Sequence, residues 1–138
     1  MNRVVHFEIH AQNPEKAGKF YSDIFGWEIK EWKLPAEIQI PDENRYWMVM
    51  TGKTDEPGGI NGGILFRKGP APEASQAVNA FVCTINVPSV SEYLKKITDA
   101  GGTVALPTMA IPNVGWLAYC KDLDGNLFGI MEDDKEAK

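Results

Sequence analysis

His6, Glu8 and His10 stand at alternate positions of VVHFEIHA, and an imidazole two residues from a carboxylate on one strand face suits proton transfer. His6 would act as a general base or hydrogen-bonding group with Glu8 orienting its ring; the alternative is a pair solvated on an exposed surface or used in a dimer contact. His10, nearer the strand end, is a further binding candidate. The other chemistry open to such groups is metal binding, which needs roughly three or four protein ligands within about 2 to 2.5 Å of one ion. At about 3.3 Å per strand residue, His6 and His10 lie about 13 Å apart, too far to share an ion, whereas His6 and Glu8 at about 6.6 Å can. The chain holds no third histidine.

The strand carrying these groups is expected at Val4–Ala11, with Val5, Phe7, Ile9 and Ala11 on an apolar face and Val4, His6, Glu8 and His10 on the other. Asn13 caps a helix whose first position is Pro14; Ala17, Phe20, Tyr21 and Ile24 form its apolar stripe, and Gly26 ends it. Strands follow at Trp27–Trp32, Tyr46–Thr51 and Gly63–Arg67, separated by a loop over Lys33–Asn44 and by the turn GKTDEPGGINGG. That turn lacks the spacing of a phosphate-binding loop.

GPAPEASQ, residues 69–76, reads as a link, after which the plan repeats. A strand is expected at Ala80–Val87. Ser89 and Glu92 spell a capping box, and Val90, Tyr93, Leu94, Ile97 and Ala100 make a helical stripe that Gly101 terminates. Aligning Gly26 with Gly102 gives an offset of 76, which superposes His6 on Val82, Glu8 on Thr84 and His10 on Asn86. One copy is ionisable on that face and the other neutral. Trp116–Cys120 and Leu127–Glu132 are the last strands, joined by a turn at Asp124 and Gly125, with a frayed tail beyond. The expected fold class is therefore α+β, with module 1 at residues 1–68, a linker, and module 2 at 77–138 building one domain. Two such units paired across a pseudo-twofold make a curved, barrel-like mixed sheet with a central cleft.

Composition narrows the function. With 14 basic and 19 acidic residues the net charge is −5, a field that favours neither nucleic acid nor an anionic membrane. No apolar run reaches the length of a bilayer span and MNRVVHFEIH has no signal-peptide centre, so a cytoplasmic location is expected. Open sheet edges favour a homodimer. Cys83 and Cys120 have no CxxC spacing and are expected as buried free thiols in strands.

HFEIHAQNPEKAGKFYSDIFGW and KDLDGNLFGIME resemble the vicinal oxygen chelate superfamily, which includes glyoxalase I, bleomycin-resistance proteins and extradiol dioxygenases. The resemblance implies paired βαβββ modules, often dimeric, with a metal held near the first and last strands of each module. His6, fifteen positions before Tyr21, matches the first ligand position. The remaining positions implied by the resemblance hold no ligand. The counterpart of His6 is Val82, the closing-strand carboxylate falls at Gly129, and the first module's closing strand GGILFRK has no carboxylate. Glu132 lies an odd number of residues beyond Gly129 and so faces the other way. No cofactor is expected, with a divalent metal as the alternative.

What remains is a cleft with His6, Glu8 and His10 on one wall and Val82, Thr84 and Asn86 opposite, with space above Gly129 between Leu127 and Met131. Trp47 and Trp116 would stack on a planar ligand or serve the core or a dimer seam. The segment Ile111–Gly115 reads as a lid or an ordinary connection. Three functions fit: metal-independent binding of a small, partly apolar molecule, which is favoured; a lactoylglutathione-lyase-like isomerase or lyase using His6 and Glu8 with a metal site only partly visible in the sequence; and a module for a protein partner.

Overall fold

Asn13 accepts a hydrogen bond from the Lys16 backbone N–H at 3.1 Å, and with Pro14 at the first position this starts helix α1, Pro14–Phe25. Gly26 closes it with φ 71°, a left-handed conformation that favours glycine. Buried on one stripe are Ala17, Phe20, Tyr21 and Ile24, as the spacing predicts. The computed structural model describes residues 3–138. It divides into two compact units, Met1–Ala71 and Pro72–Lys138, with the boundary inside the expected linker.

In the first unit, strands β1 (Phe7–Ala11), β2 (Glu28–Glu31), β3 (Tyr46–Met50) and β4 (Gly62–Phe66) form a sheet of order β1-β4-β3-β2. β1 and β4 run parallel, the other pairs antiparallel. Helix α1 covers the face bearing Ile29 and Ile64, both of which lie beside Gly18. Phe7, Tyr21 and Phe25 gather around Trp27, whose ring stacks on Tyr21 at 5.2 Å. The opposite face is open.

The second unit repeats this plan with β5 (Thr84–Asn86), α2 (Val90–Asp99), β6 (Thr103–Ile111), β7 (Gly115–Lys121) and β8 (Leu127–Asp133), in the order β5-β8-β7-β6. Ser89 caps α2 by accepting from the Glu92 N–H at 3.3 Å. The register is compatible with the offset of 76 for the first strand of each module, while the shorter second module brings the closing strands into match at a smaller offset. Glu8 pairs with Gly63, Ile9 with Ile64 and His10 with Leu65; Thr84 pairs with Gly129, Ile85 with Ile130 and Asn86 with Met131. Gly63 and Gly129 are therefore equivalent. The α+β class and the two tandem βαβββ modules stand as expected, but as two separate four-stranded sheets, neither closed into a barrel.

Several expectations are corrected. β1 begins at Phe7, leaving Val5 78% exposed where an inward apolar residue was expected. β5 is only three residues long, so Val82 and Cys83 precede it and Cys83 is exposed. Parallel pairing to β8 reaches no further back than Thr84, and a strand edge without a partner has nothing to hold it extended. Cys120 is buried, and burial pushes its thiol up to about 11. Ala100 is exposed beyond the end of α2. The tail is ordered rather than frayed: Ala137 is buried, its carbonyl accepts from the Asn113 N–H at 3.0 Å, and Asp134 accepts from the Trp116 indole N–H at 3.0 Å. That anchor makes Pro112–Val114 a pinned hairpin turn, not a lid, with Asn113 at φ 64°.

An ion-pair cluster ties α1 to the sheet. Arg45 donates through Nε and Nη2 to the two Glu31 oxygens at 2.7 and 3.0 Å, reaches Glu15 at 3.1 Å, and lies 4.7 Å from the centre of the Trp47 ring. Hydrogen bonds from Arg45 and then Lys33 bring the Glu31 carboxyl down to about 2. A carboxylate held below its unfolded value stabilises the fold above the ordinary carboxylate range, and that contribution fades as pH falls from about 4 toward 2. Glu31→Gln should therefore lower the urea midpoint at neutral pH, and its deficit against the parent protein should vanish near the acid end of that window. A deficit that is independent of pH would show that the charge of Glu31 contributes nothing.

Candidate functional site

On the open face of the first module, Tyr46 meets a segment far from it in the chain because two strands bracket a glycine. Tyr46 pairs with Leu65 on β4, but its ring leans diagonally over Gly63 toward β1. A Cβ on Gly63 would collide with the Tyr46 ring and hydroxyl. Without that Cβ the phenol crosses β4 and reaches His6 Nε2 at 2.8 Å. Glu8 is near enough for its charge to act on the phenol, and its Oε1 lies 3.7 Å from His10 Nε2. Burial first, then the charge of Glu8, push the phenol above its ordinary value, so Tyr46 remains a neutral hydroxyl at neutral pH. Met48, 43% exposed on the rung of Glu8 and Gly63, and half-buried Leu65 supply apolar surface beside the cluster.

Sequence reasoning placed His6, Glu8 and His10 on one face; the structure sets His6 ahead of β1 against Tyr46 and puts His10 beside Glu8. It missed Tyr46. The readable signal was the glycine pair Gly62-Gly63 inside a strand, which marks a close approach of neighbouring groups.

The second module offers a neutral counterpart. Thr84 and Asn86 are exposed on β5, and Leu127, Gly129 and Met131 share a side of β8. Asn86 donates to Asp133 at 3.1 Å. The space expected above Gly129 is already occupied: a Cβ there would lie 2.8 Å from Thr84 Oγ1 and 3.3 Å from the Tyr119 ring. Val82 stands outside the strand and contributes no wall of regular sheet.

Both tryptophans belong to the other side of their sheets. Trp47 pairs with Ile64 on the helix-covered face and is 5% exposed, with Phe66 edge-on at 5.9 Å. Trp116 shares its side of β7 with buried Ala118 and Cys120. A ligand-stacking role is therefore withdrawn for both. Glu132 also faces the helix, accepting from the Val90 N–H at the start of α2 at 2.8 Å, as its odd spacing from Gly129 predicts.

Among the described residues no three of His, Cys, Asp and Glu come together so as to hold a divalent ion. Gly63 and Gly129, the equivalent closing-strand positions, carry no ligand atom and lie under Tyr46 and under Thr84 with Tyr119. The residues do not fit the metal that the fold family implies.

A hollow of about 630 Å³ on the first module is lined by Gly26, Glu28, Met50 and residues 51–56. It shares no residue with the Tyr46 cluster. No helix among the described residues is long and apolar enough to cross a membrane.

The sequence matches the family model described as Glyoxalase/Bleomycin resistance protein/Dioxygenase superfamily over residues 3–130. No curated protein matches. Among solved structures, a variant of the fosfomycin resistance protein FosX from Listeria monocytogenes, complexed with Mn(II) and 1S,2S-dihydroxypropylphosphonic acid, superposes with a TM-score of 0.67 at 16% identity. The match covers 97% of this chain and 94% of that one. A glyoxylase/bleomycin resistance protein/dioxygenase domain from Frankia sp. EAN1pec gives 0.65 at 18% identity, covering 97% and 99%. TioX from Micromonospora sp. ML1 gives 0.59 at 19%, covering 96% and 100%. At such identities the likeness is one of fold, and it coincides with the family match that spans both modules. The chain belongs to the glyoxalase/bleomycin resistance protein/dioxygenase superfamily.

Proposed function

We propose that this protein binds a small, partly apolar molecule on the open face of its first module, without a bound metal, as a cytoplasmic homodimer. The observation that supports the reading is the set of His6, Glu8, His10 and Tyr46 on a face otherwise supplied by Met48 and Leu65, a few placed polar groups among apolar ones. A metal plays no part in the reading because the family's ligand positions hold Val82, Gly63 and Gly129.

A thermal-shift screen of small apolar and aromatic compounds, with metal analysis of protein purified without chelator, tests it. A ligand at a hundredfold excess over its Kd should raise the Tm by about 8 °C. Stoichiometric zinc, nickel, iron or manganese would overturn the metal-free reading, and a screen without any stabiliser would count against the pocket.

One observation favours a second reading, that of an isomerase or lyase moving a proton. The Tyr46 bond holds the His6 ring in one orientation, as a general base requires. His6 is exposed and precedes β1, so His6→Ala should abolish turnover while leaving the fold intact. Turnover unchanged in that variant removes His6 from the chemistry.

A further inference from the structure

We propose that the open face of the first module holds a slot for one planar aromatic ring, with Trp32 as one wall and Tyr46 as the other. This deepens the reading above, rests on it, and gives its ligand a chemical class. The Trp32 N–H donates to the Tyr46 carbonyl at 2.8 Å, extending the pairing of β2 with β3 one residue past Glu31. Alternation then puts Trp32 on the side of Tyr46 and Met48, whereas Trp47, the partner of Glu31, faces the helix. Trp32 is 57% exposed. The other three tryptophans are already employed, Trp27 against Tyr21, Trp47 in the core and Trp116 on Asp134.

Aromatic side chains on directly opposed residues of two strands, with Cβ atoms about 4.5 to 5.5 Å apart, ordinarily pack on each other. Trp32 and Tyr46 do not. Among the described residues the Trp32 indole makes neither a ring contact nor a hydrogen bond. The Tyr46 ring is drawn the other way, its outer edge over Gly63 and its hydroxyl on His6 Nε2 at 2.8 Å.

The sheet order puts β3 between β2 and β4, so Trp32 and the outer edge of the Tyr46 ring stand two strand spacings, or about 9.6 Å, apart. A ring held between two others needs about 3.5 Å on each side, so the gap takes one ring. Its floor is Met48 on β3, whose polarizable thioether suits the face or edge of an aromatic. Lys30, opposite Met48, has its charge matched by Glu28, so this side of the slot selects for a flat, neutral body. The His6 bond fixes the far wall, which spares a ligand the cost of ordering it.

The test compares two neutral probes of one carbon skeleton, planar 2-naphthol and saturated decahydro-2-naphthol, titrated on the intact protein by ligand-observed NMR. The indole N–H signals of isotope-labelled protein are followed in parallel, and the Trp32 signal is identified by its loss in Trp32→Leu. 2-Naphthol should bind about tenfold more tightly than its saturated analogue and shift the Trp32 signal. Trp32→Leu should weaken 2-naphthol about tenfold, leave decahydro-2-naphthol within about twofold and hardly move the Tm, while Trp32→Phe should lose less than about threefold. Equal binding of the two probes, or 2-naphthol binding unaffected by Trp32→Leu, would overturn the aromatic slot while leaving small-molecule binding intact. Trp32→Leu turning a dimer into a monomer with 2-naphthol binding unchanged would overturn it too, giving Trp32 to a seam between copies. Failure of both probes and of every compound in the thermal-shift screen to bind would overturn both readings.

Discussion

Gly62→Ala is expected to destabilise the first module by about 3 kcal/mol, whereas Gly63→Ala, one residue along, should cost about 1 kcal/mol and leave it folded. The two glycines face opposite sides of β4, Gly62 toward the helix beside Phe7 and Gly63 toward the open face beside Glu8. A Cβ on Gly62 would strike the Phe7 carbonyl oxygen and press on the Phe7 ring. The carbonyl belongs to the backbone of the paired strand, so relief requires β1 and β4 to part. The atoms nearest a Cβ on Gly63 belong to the end of the Tyr46 side chain, which can rotate away. Urea denaturation measures the stability difference, and the shift of the His6 ring signals reports whether Tyr46 has left. Gly63→Ala should thus separate the site from the fold, losing the contact with His6 in a protein that still melts cooperatively. Equal loss of stability in both variants would show that Tyr46, too, is fixed by packing.

What the sequence made legible was the local physics repeated in both copies. Caps at Asn13 and Ser89 and the apolar stripe of α1 depend on neighbours within a few residues, and the pairing of each module's first strand with its closing strand is compatible with the offset of 76. Strand ends were less legible, because alternation continues through Val5 and Phe81 although no partner strand reaches them. Val5 is 78% and Phe81 95% exposed. The fate of the tail was equally hidden: Lys135 and Glu136 suggested fraying, while Ala137 is held by the turn at Asn113 through a backbone bond that composition does not encode. The site was half legible. Glu8 and His10 followed from parity, but Tyr46 reaches its partners diagonally across a strand, a relation that exists only once β3 and β4 pair.

Trp47 shows what residue type suggests when parity is ignored, and its replacement provides the second large effect. Tryptophan suits stacking on a ligand, yet Trp47 alternates with Tyr46 and Met48 on β3 and so lies on the side of Ile64 and Val49, both fully buried. Its ring meets Phe66 edge-on and supports the Arg45 guanidinium, which in turn holds Glu31 and Glu15. Trp47→Ala therefore removes a large core side chain and the surface on which that ion-pair cluster rests, and should cost about 3 to 5 kcal/mol. Trp47→Phe keeps an aromatic face in the same place and should recover most of that loss. If Trp47 were instead a ligand platform, truncation would spare stability and abolish binding. The expected pattern is the reverse: Trp47→Ala lowers the unfolding midpoint steeply, while at temperatures where the variant is folded its affinity for a ligand found in the thermal-shift screen stays within about twofold of the parent. An unchanged midpoint with lost affinity would return Trp47 to the binding face.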